Sequence, residues 1–224
     1  MVIVVRQIRN EWKVHFTWLY LIPTALLAIF LYYLNKEVYN PFVELTMRDL
    51  YAIFELIWPL SAVLGISTIL PQEHEEGMLE LRLSYPKPYR YSVIRKIALP
   101  YSWWFVVGIS AMLWCSRTCL SFNMSHMLGV VFPPTVFLSG ITLLLSSLTL
   151  DPVVSILITL IYWVFEWMTA GARSGNMALF PFYAGLTSQI DIAKNRVLLV
   201  SIGILLKTLA LIVIRKRKID HTSE

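Results

Sequence analysis

Charge is scarce in this chain. Only 15% of its 224 residues are Asp, Glu, Lys or Arg, against 57% that are hydrophobic. A soluble domain of that size cannot hide so much apolar surface, which excludes an ordinary globular enzyme and makes the chain an integral membrane protein. No polar stretch is long enough to form a soluble domain of its own. Cysteine is nearly absent too: Cys115 and Cys119 lie four residues apart on one predicted helix face. Their parallel Cβ vectors disfavour a mutual disulfide, so they read as small buried hydrophobes that say nothing about redox compartment. A cleavable signal peptide is not expected, because the first apolar run is too long and no small-x-small site follows it. The formal charge of +5 does not indicate nucleic acid, since the Lys and Arg residues sit in loops between apolar runs.

Catalytic motifs are missing as well. His74-Glu75 begins like H-E-x-x-H, but the second histidine would fall on Met78, so a zinc-protease site lacks a ligand. Glu75-Glu76 is similar to the glutamate pair of CAAX-type intramembrane proteases, yet the arginine that should follow closely is displaced to Arg82. His15 and His126 have no partner motif, and neither G-x-S-x-G nor a serine–lysine pair is present. Without G-x-x-x-x-G-K-[ST] the chain has no Walker loop, so any nucleotide energy must come from another polypeptide.

What is present is a series of apolar runs. Residues 1–15 place Met1, Val4, Val5, Ile8 and Trp12 on one helical face and Arg6, Arg9, Asn10 and Lys13 on the other. That pattern predicts an amphipathic helix lying in the interface; a frayed polar end is the plain alternative. Six spans follow, at 16–34, 50–70, 97–116, 127–150, 152–170 and 197–214, each long enough to cross about 30 Å of hydrocarbon. Pro59 is expected to kink the second and Pro133-Pro134 to break the fourth, while Asp151-Pro152 makes a tight turn into the fifth. Residues 171–196 form a mixed loop. Within it, 176–190 is too short and too Pro/Gly-broken to cross, and reads as a re-entrant segment or as a loop dipping into the interface. With six spans, one side receives twelve loop Lys and Arg residues and the other six, which places both termini and the 71–96 loop in the cytoplasm.

The 71–96 loop is the longest polar interruption. Met78, Leu79, Leu81 and Leu83 give a short helix some apolar surface, Gly77 loosens its entry, and Tyr85-Pro86-Lys87-Pro88 ends it. The run Glu75, Glu76, Gly77, Met78, Leu79, Glu80, Leu81, Leu83, Tyr85, Pro86, between the second and third of six spans, resembles that of the type-2 ATP-binding-cassette (ABC) exporter permeases. The match covers these ten residues and, in topology, nearly the whole chain; Arg82-Leu83 stands where Leu-Leu is usual, and the proline turn is doubled. The resemblance implies that 77–90 is a coupling helix docking into a separate ATP-binding-cassette ATPase subunit. It further implies paired permeases (homodimer or heterodimer), ATP and Mg on the ATPase, no cofactor on this chain, and export of a hydrophobic or amphipathic cargo such as a peptide, lipid or drug. The rival reading is a non-transporting immunity or sensor protein that holds a cytoplasmic partner.

Three ionisable residues lie inside spans, where such groups are costly and mark functional sites by default: Glu55, Glu166 and Lys207. The two glutamates fall roughly 6–8 Å, and Lys207 roughly 15 Å, from the outer ends of their spans at 1.5 Å per residue. Two readings stand: Lys207 pairs with Glu166 or Glu55, or the glutamates reach the outer interface while Lys207 fills a structural gap. Trp103, Trp104, Trp163 and Trp167 read as interfacial or packing residues rather than a cargo cage.

Overall fold

The computed structural model describes residues 21–38, 46–70, 89–118 and 122–221. The predicted interfacial helix (1–15) and all ten residues of the predicted coupling run, Glu75 to Pro86, lie outside them. The described residues are helical, with no strand: α1 (Leu21–Val38), α2 (Met47–Ser67), α3 (Tyr89–Thr118), α4 (Met124–Thr149), α5 (Pro152–Thr169), α6 (Pro181–Ala184) and α7 (Ile192–His221), plus two 3-10 turns at Gly175–Met177 and Leu186–Ser188. Five stretches are long and apolar enough to cross a membrane: Met47–Ser67, Lys96–Arg117, Met124–Thr149, Pro152–Thr169 and Ile192–Ile214. The expected first span is described only from Leu21, and its apolar part, Thr24–Tyr33, is by itself too short to cross.

Local chemistry sets the ends. Thr46 caps α2 in a reciprocal box: its hydroxyl accepts from Asp49 N–H (3.3 Å) and Asp49 accepts from Thr46 N–H (3.0 Å). Asp151 accepts from Val153 N–H at 2.7 Å and Pro152 opens α5, so the tight turn between α4 and α5 is present as expected. The expected break at Pro133-Pro134 is not found: α4 is one continuous helix through both prolines. The two amide donors lost there would have bonded Gly129 O and Val130 O, and the surrounding helices bury both proline rings. Packing by neighbouring helices makes proline tolerable in an apolar helix.

The five long helices alternate in direction. At one end meet the start of α2, the end of α3, the start of α4, the end of α5 and the start of α7, around Leu50, Phe54, Trp58, Trp104, Met112, Cys115 and Met127. At the other end Ile66, Leu70, Leu143, Ala210 and Ile214 form a second cluster with Ile97 against it. The first is called the capped end, because residues 171–191 close over it. The second is the basic end, where α7 runs on into Arg215–Lys218.

α4 is the axis of the bundle, packed most extensively against α7 and α2. Small residues let α4 and α7 approach backbone to backbone: a Cβ on Gly203 would stand 2.7 Å from Val136 O, and one on Gly140 2.7 Å from Gly203 O. This close small-residue contact is a recurrent way of joining helices where lipid offers no hydrophobic drive. By contrast α5 and α7 leave Ile161, Met168, Ile204 and Leu205 largely exposed, an outward surface suited to apolar surroundings. Gly203→Leu should therefore lower stability in detergent by more than the 1–3 kcal/mol typical of overpacking. Gly129→Ala, where an added Cβ meets nothing, should be neutral or stabilising. Thermal unfolding followed by circular dichroism checks both, and equal effects would place the close approach elsewhere.

Candidate functional site

Glu55 lies two turns into α2 with none of its surface exposed. A buried carboxylate is tolerable only if a cation and hydrogen-bond donors replace its water. Both are supplied by the far end of the chain. Arg196, near the start of α7, forms an ion pair with Glu55 Oε1. The N–H groups of Phe182 (3.0 Å) and Tyr183 (3.3 Å) donate to Oε2. Pro181 opens α6 with a fixed φ and no N–H of its own, which presents the next two amides to the carboxylate. The Phe182 ring is held between Tyr51 (5.5 Å between centroids), His126 (6.0 Å) and the Arg196 guanidinium (5.9 Å).

Glu166, 1% exposed, does the same work from α5. It accepts from the Ser174 hydroxyl and from Leu179 N–H at 3.2 Å. Ala170 (φ 48°) and Gly171 (φ 68°) turn the chain back at the end of α5, bringing 174–179 over Glu166. A side chain on Gly171 would both strain that φ and meet Ala178 Cβ at 2.7 Å. Asn195 on α7 completes the hold, its Nδ2 donating to Asn176 O (2.9 Å) and Ala178 O (3.0 Å). Trp163 Nε1–H bonds Leu56 O at 3.0 Å, tying α5 to α2 beneath. Segment 171–191 is therefore fastened to α2, α5 and α7 by side chains that its own backbone satisfies. Leu179 and Phe180 reach inward to join Val63, Phe137, Leu138 and Leu199.

Lys207 stands apart from both glutamates, which corrects the expected pairing. Its ammonium donates to the Tyr101 hydroxyl and sits 4.7 Å from the Tyr101 ring centroid. Arg196 explains the difference: it lies eleven residues earlier on α7, roughly 16 Å along the axis. There it takes Glu55, beyond the reach of a lysine stem. The rival expectation fails for the glutamates as well, since both are buried against protein rather than turned to the interface. Near Lys207, Tyr101 bonds Ser139; further along α4 the hydroxyls of Thr142 and Thr159 meet at 3.1 Å, and toward the basic end Ser146 donates to Ser67 O at 3.1 Å. Hydroxyl contacts thus follow α4 from its middle toward the basic end.

Arg196 and Asn195 are the functional residues that sequence reasoning missed. The available signal was Asp191, whose carboxylate accepts from Lys194 N–H at 3.2 Å and starts α7 at Ile192, not at 197. Of the four tryptophans, Trp103 donates to the Thr24 hydroxyl at 3.3 Å, Trp104 is fully packed against Trp58, Trp163 is the α5–α2 tie, and Trp167 remains exposed.

Both carboxylates accept at each of their oxygens, three bonds for Glu55 and two for Glu166, and so hold the 171–191 segment to the helices. Among the described residues no three His, Cys, Asp or Glu side chains gather to hold a metal ion. No protein-family model, no curated protein and no solved structure matches this chain.

The pair Glu55–Arg196 is testable by a double-mutant cycle. Arg196→Met should cost about 3–5 kcal/mol, because it strands a buried charge. Glu55→Gln combined with Arg196→Met should cost clearly less than the two single losses together. Chemical unfolding in detergent gives these values, and additive losses would show that the two charges do not interact.

Proposed function

We propose that this chain is a multi-pass membrane protein with both termini cytoplasmic, acting as the permease subunit of an ATP-driven exporter of the type-2 ABC kind. One observation carries the reading. α2 ends and α3 begins at the basic end of the bundle, the end at which α7 carries Arg215–Lys218, and the sequence between them, 71–88, holds the run similar to the coupling segment of those permeases. Concentrated Lys and Arg mark a cytoplasmic face, which is where an ATPase subunit would dock. The opposite end is closed by a segment bonded to three helices, so the two ends of the bundle differ as the two ends of a gated path should.

In this proposal two copies pair, each engaging one ATPase that binds ATP and Mg. Closure of the ATPases pushes on the 77–90 helix, tilts the spans and opens the path toward the capped end. The cargo is hydrophobic or amphipathic, in keeping with apolar helix surfaces; peptide, lipid and drug all fit that description. ATP hydrolysis is the partner's chemistry.

The test is affinity purification of the tagged chain in mild detergent, with and without Met78→Arg plus Leu79→Arg. An ATP-binding-cassette ATPase should co-purify with the wild type and be lost from the double variant, with size-exclusion elution unchanged. If no ATPase is recovered in any mild detergent, the exporter reading fails and the immunity or sensor reading replaces it.

A further inference from the structure

Lys207 is the charged group that the proposed function leaves without a task. It is half-buried in the apolar part of α7, where a cation demands compensation. Its neighbours offer little. The Tyr101 oxygen takes one of its three N–H donors and the Tyr101 ring lies 4.7 Å away, but both are neutral. No carboxylate lies within ion-pair distance among the described residues: Glu55 is bonded to Arg196, and Glu166 to Ser174 and Leu179.

The hydroxyls beside it are already committed. Ser139 donates to Val136 O at 2.9 Å, so the Tyr101–Ser139 bond must run from the tyrosine hydroxyl to the Ser139 oxygen. The order is then fixed: ammonium to tyrosine, tyrosine to serine, serine to backbone. Every proton in that chain points away from the ammonium, and Tyr101 receives its proton donor with its oxygen only. The remaining two N–H donors of Lys207 have no oxygen acceptor among the described residues.

α3 and α7 touch each other only lightly, each packing instead against α4, and Lys207 spans the seam between them. Next to Tyr101 on α3, Ala98 and Phe105 are exposed; next to Lys207 on α7, Ile204 and Thr208 are exposed. The seam therefore faces the surroundings with apolar walls and one cation at its floor. Seven residues further, roughly 10 Å along the axis, α7 leaves its apolar stretch for Arg215–Lys218. A headgroup could pass from that basic end to the ammonium without crossing the bundle.

We infer that the α3–α7 seam binds an anionic amphiphile, with its carboxylate or phosphate on Lys207 and its chain along Phe105 and Ile204. The inference rests on the bundle being embedded in a membrane, not on the exporter reading, because no ATPase enters it. The shared chemistry is an anionic headgroup on an apolar tail, supplied either by a bilayer lipid or by a single-chain amphiphile.

The test is native mass spectrometry of the full chain in mild detergent, titrated with phosphatidylglycerol, phosphatidylcholine of the same chains, dodecanoate and dodecanol. Phosphatidylglycerol or dodecanoate adducts should form more tightly than those of their neutral counterparts. Lys207→Gln should weaken them about tenfold or more, and Lys207→Arg by less than about threefold. Tyr101→Phe, which removes the neutral partner and keeps the cation, should not weaken them. Binding of both anions assigns the site to the headgroup charge; binding of only one assigns it to the bilayer lipid or to the single-chain amphiphile. Equal retention of the neutral lipid, or full binding by Lys207→Gln, overturns the inference. Should Lys207→Gln not give a monodisperse peak, competition on the wild type decides: whichever anion binds must be displaced by an excess of the same anionic amphiphile more readily than by its neutral counterpart, and equal displacement by the neutral counterpart overturns the site.

Discussion

The constraint on which the rest of the bundle depends is the cost of keeping Glu55 charged without water. A lone carboxylate in such a place costs several kcal/mol even after the protein relaxes. Its remedy recruits three separate pieces of chain: the Arg196 guanidinium and the amides of Phe182 and Tyr183. Once Arg196 is fixed, the start of α7 is fixed against α2, and with it the register in which Gly203 meets α4. Once the two amides are fixed, the turn through Pro181 has one position. Glu166 and Asn195 then pin the remainder of 171–191. Three of the charges that composition makes rare, Glu55, Glu166 and Arg196, thus hold the irregular segment 171–191 to the helices.

Beneath that segment the bundle is built differently. α4 meets α7 through glycines and α2 largely through apolar side chains, while a row of hydroxyls follows it from its middle toward the basic end. Hydroxyl pairs such as Thr142–Thr159 hold helices modestly, typically by well under 2 kcal/mol in membrane proteins, so the glycine contact and the dense packing around α4 carry most of the cohesion. The outer helices α5 and α7 contribute a single packed face each. Their exposed sides ask only for an apolar medium or a second protein surface.

Much of this was legible in the residues. Length and composition of the apolar runs located all five described span-length helices, and Asp151-Pro152 announced its turn. Glu55 and Glu166 stood out because an acid in an apolar run must have a reason. Their partners could not be read in the same way. Which cation reaches Glu55 depends on the path of 171–191 and on where α7 begins, and neither leaves a periodic trace. Lys207 looked like the answer because it was the one cation plainly inside a span, whereas Arg196 sat at a predicted boundary that Asp191 actually moves five residues toward the N-terminus. The prolines of α4 misled for a related reason: proline reports a missing donor, but not whether neighbouring helices will hold the backbone straight.

The Glu55–Arg196 pair also has a consequence for how the protein is made. The two residues are 141 positions apart, and at 5–20 residues per second a ribosome needs roughly 7–30 s to go from one to the other. Through that interval α2 exists with its acid and without its cation. The early helices must therefore wait, with Glu55 protonated, hydrated or shielded by the insertion machinery, until the last long helix arrives and closes the circuit. Final assembly is thus tied to the completion of the chain's C-terminal third, and a nascent protein halted before residue 196 would carry an unpaired acid that quality control can recognise.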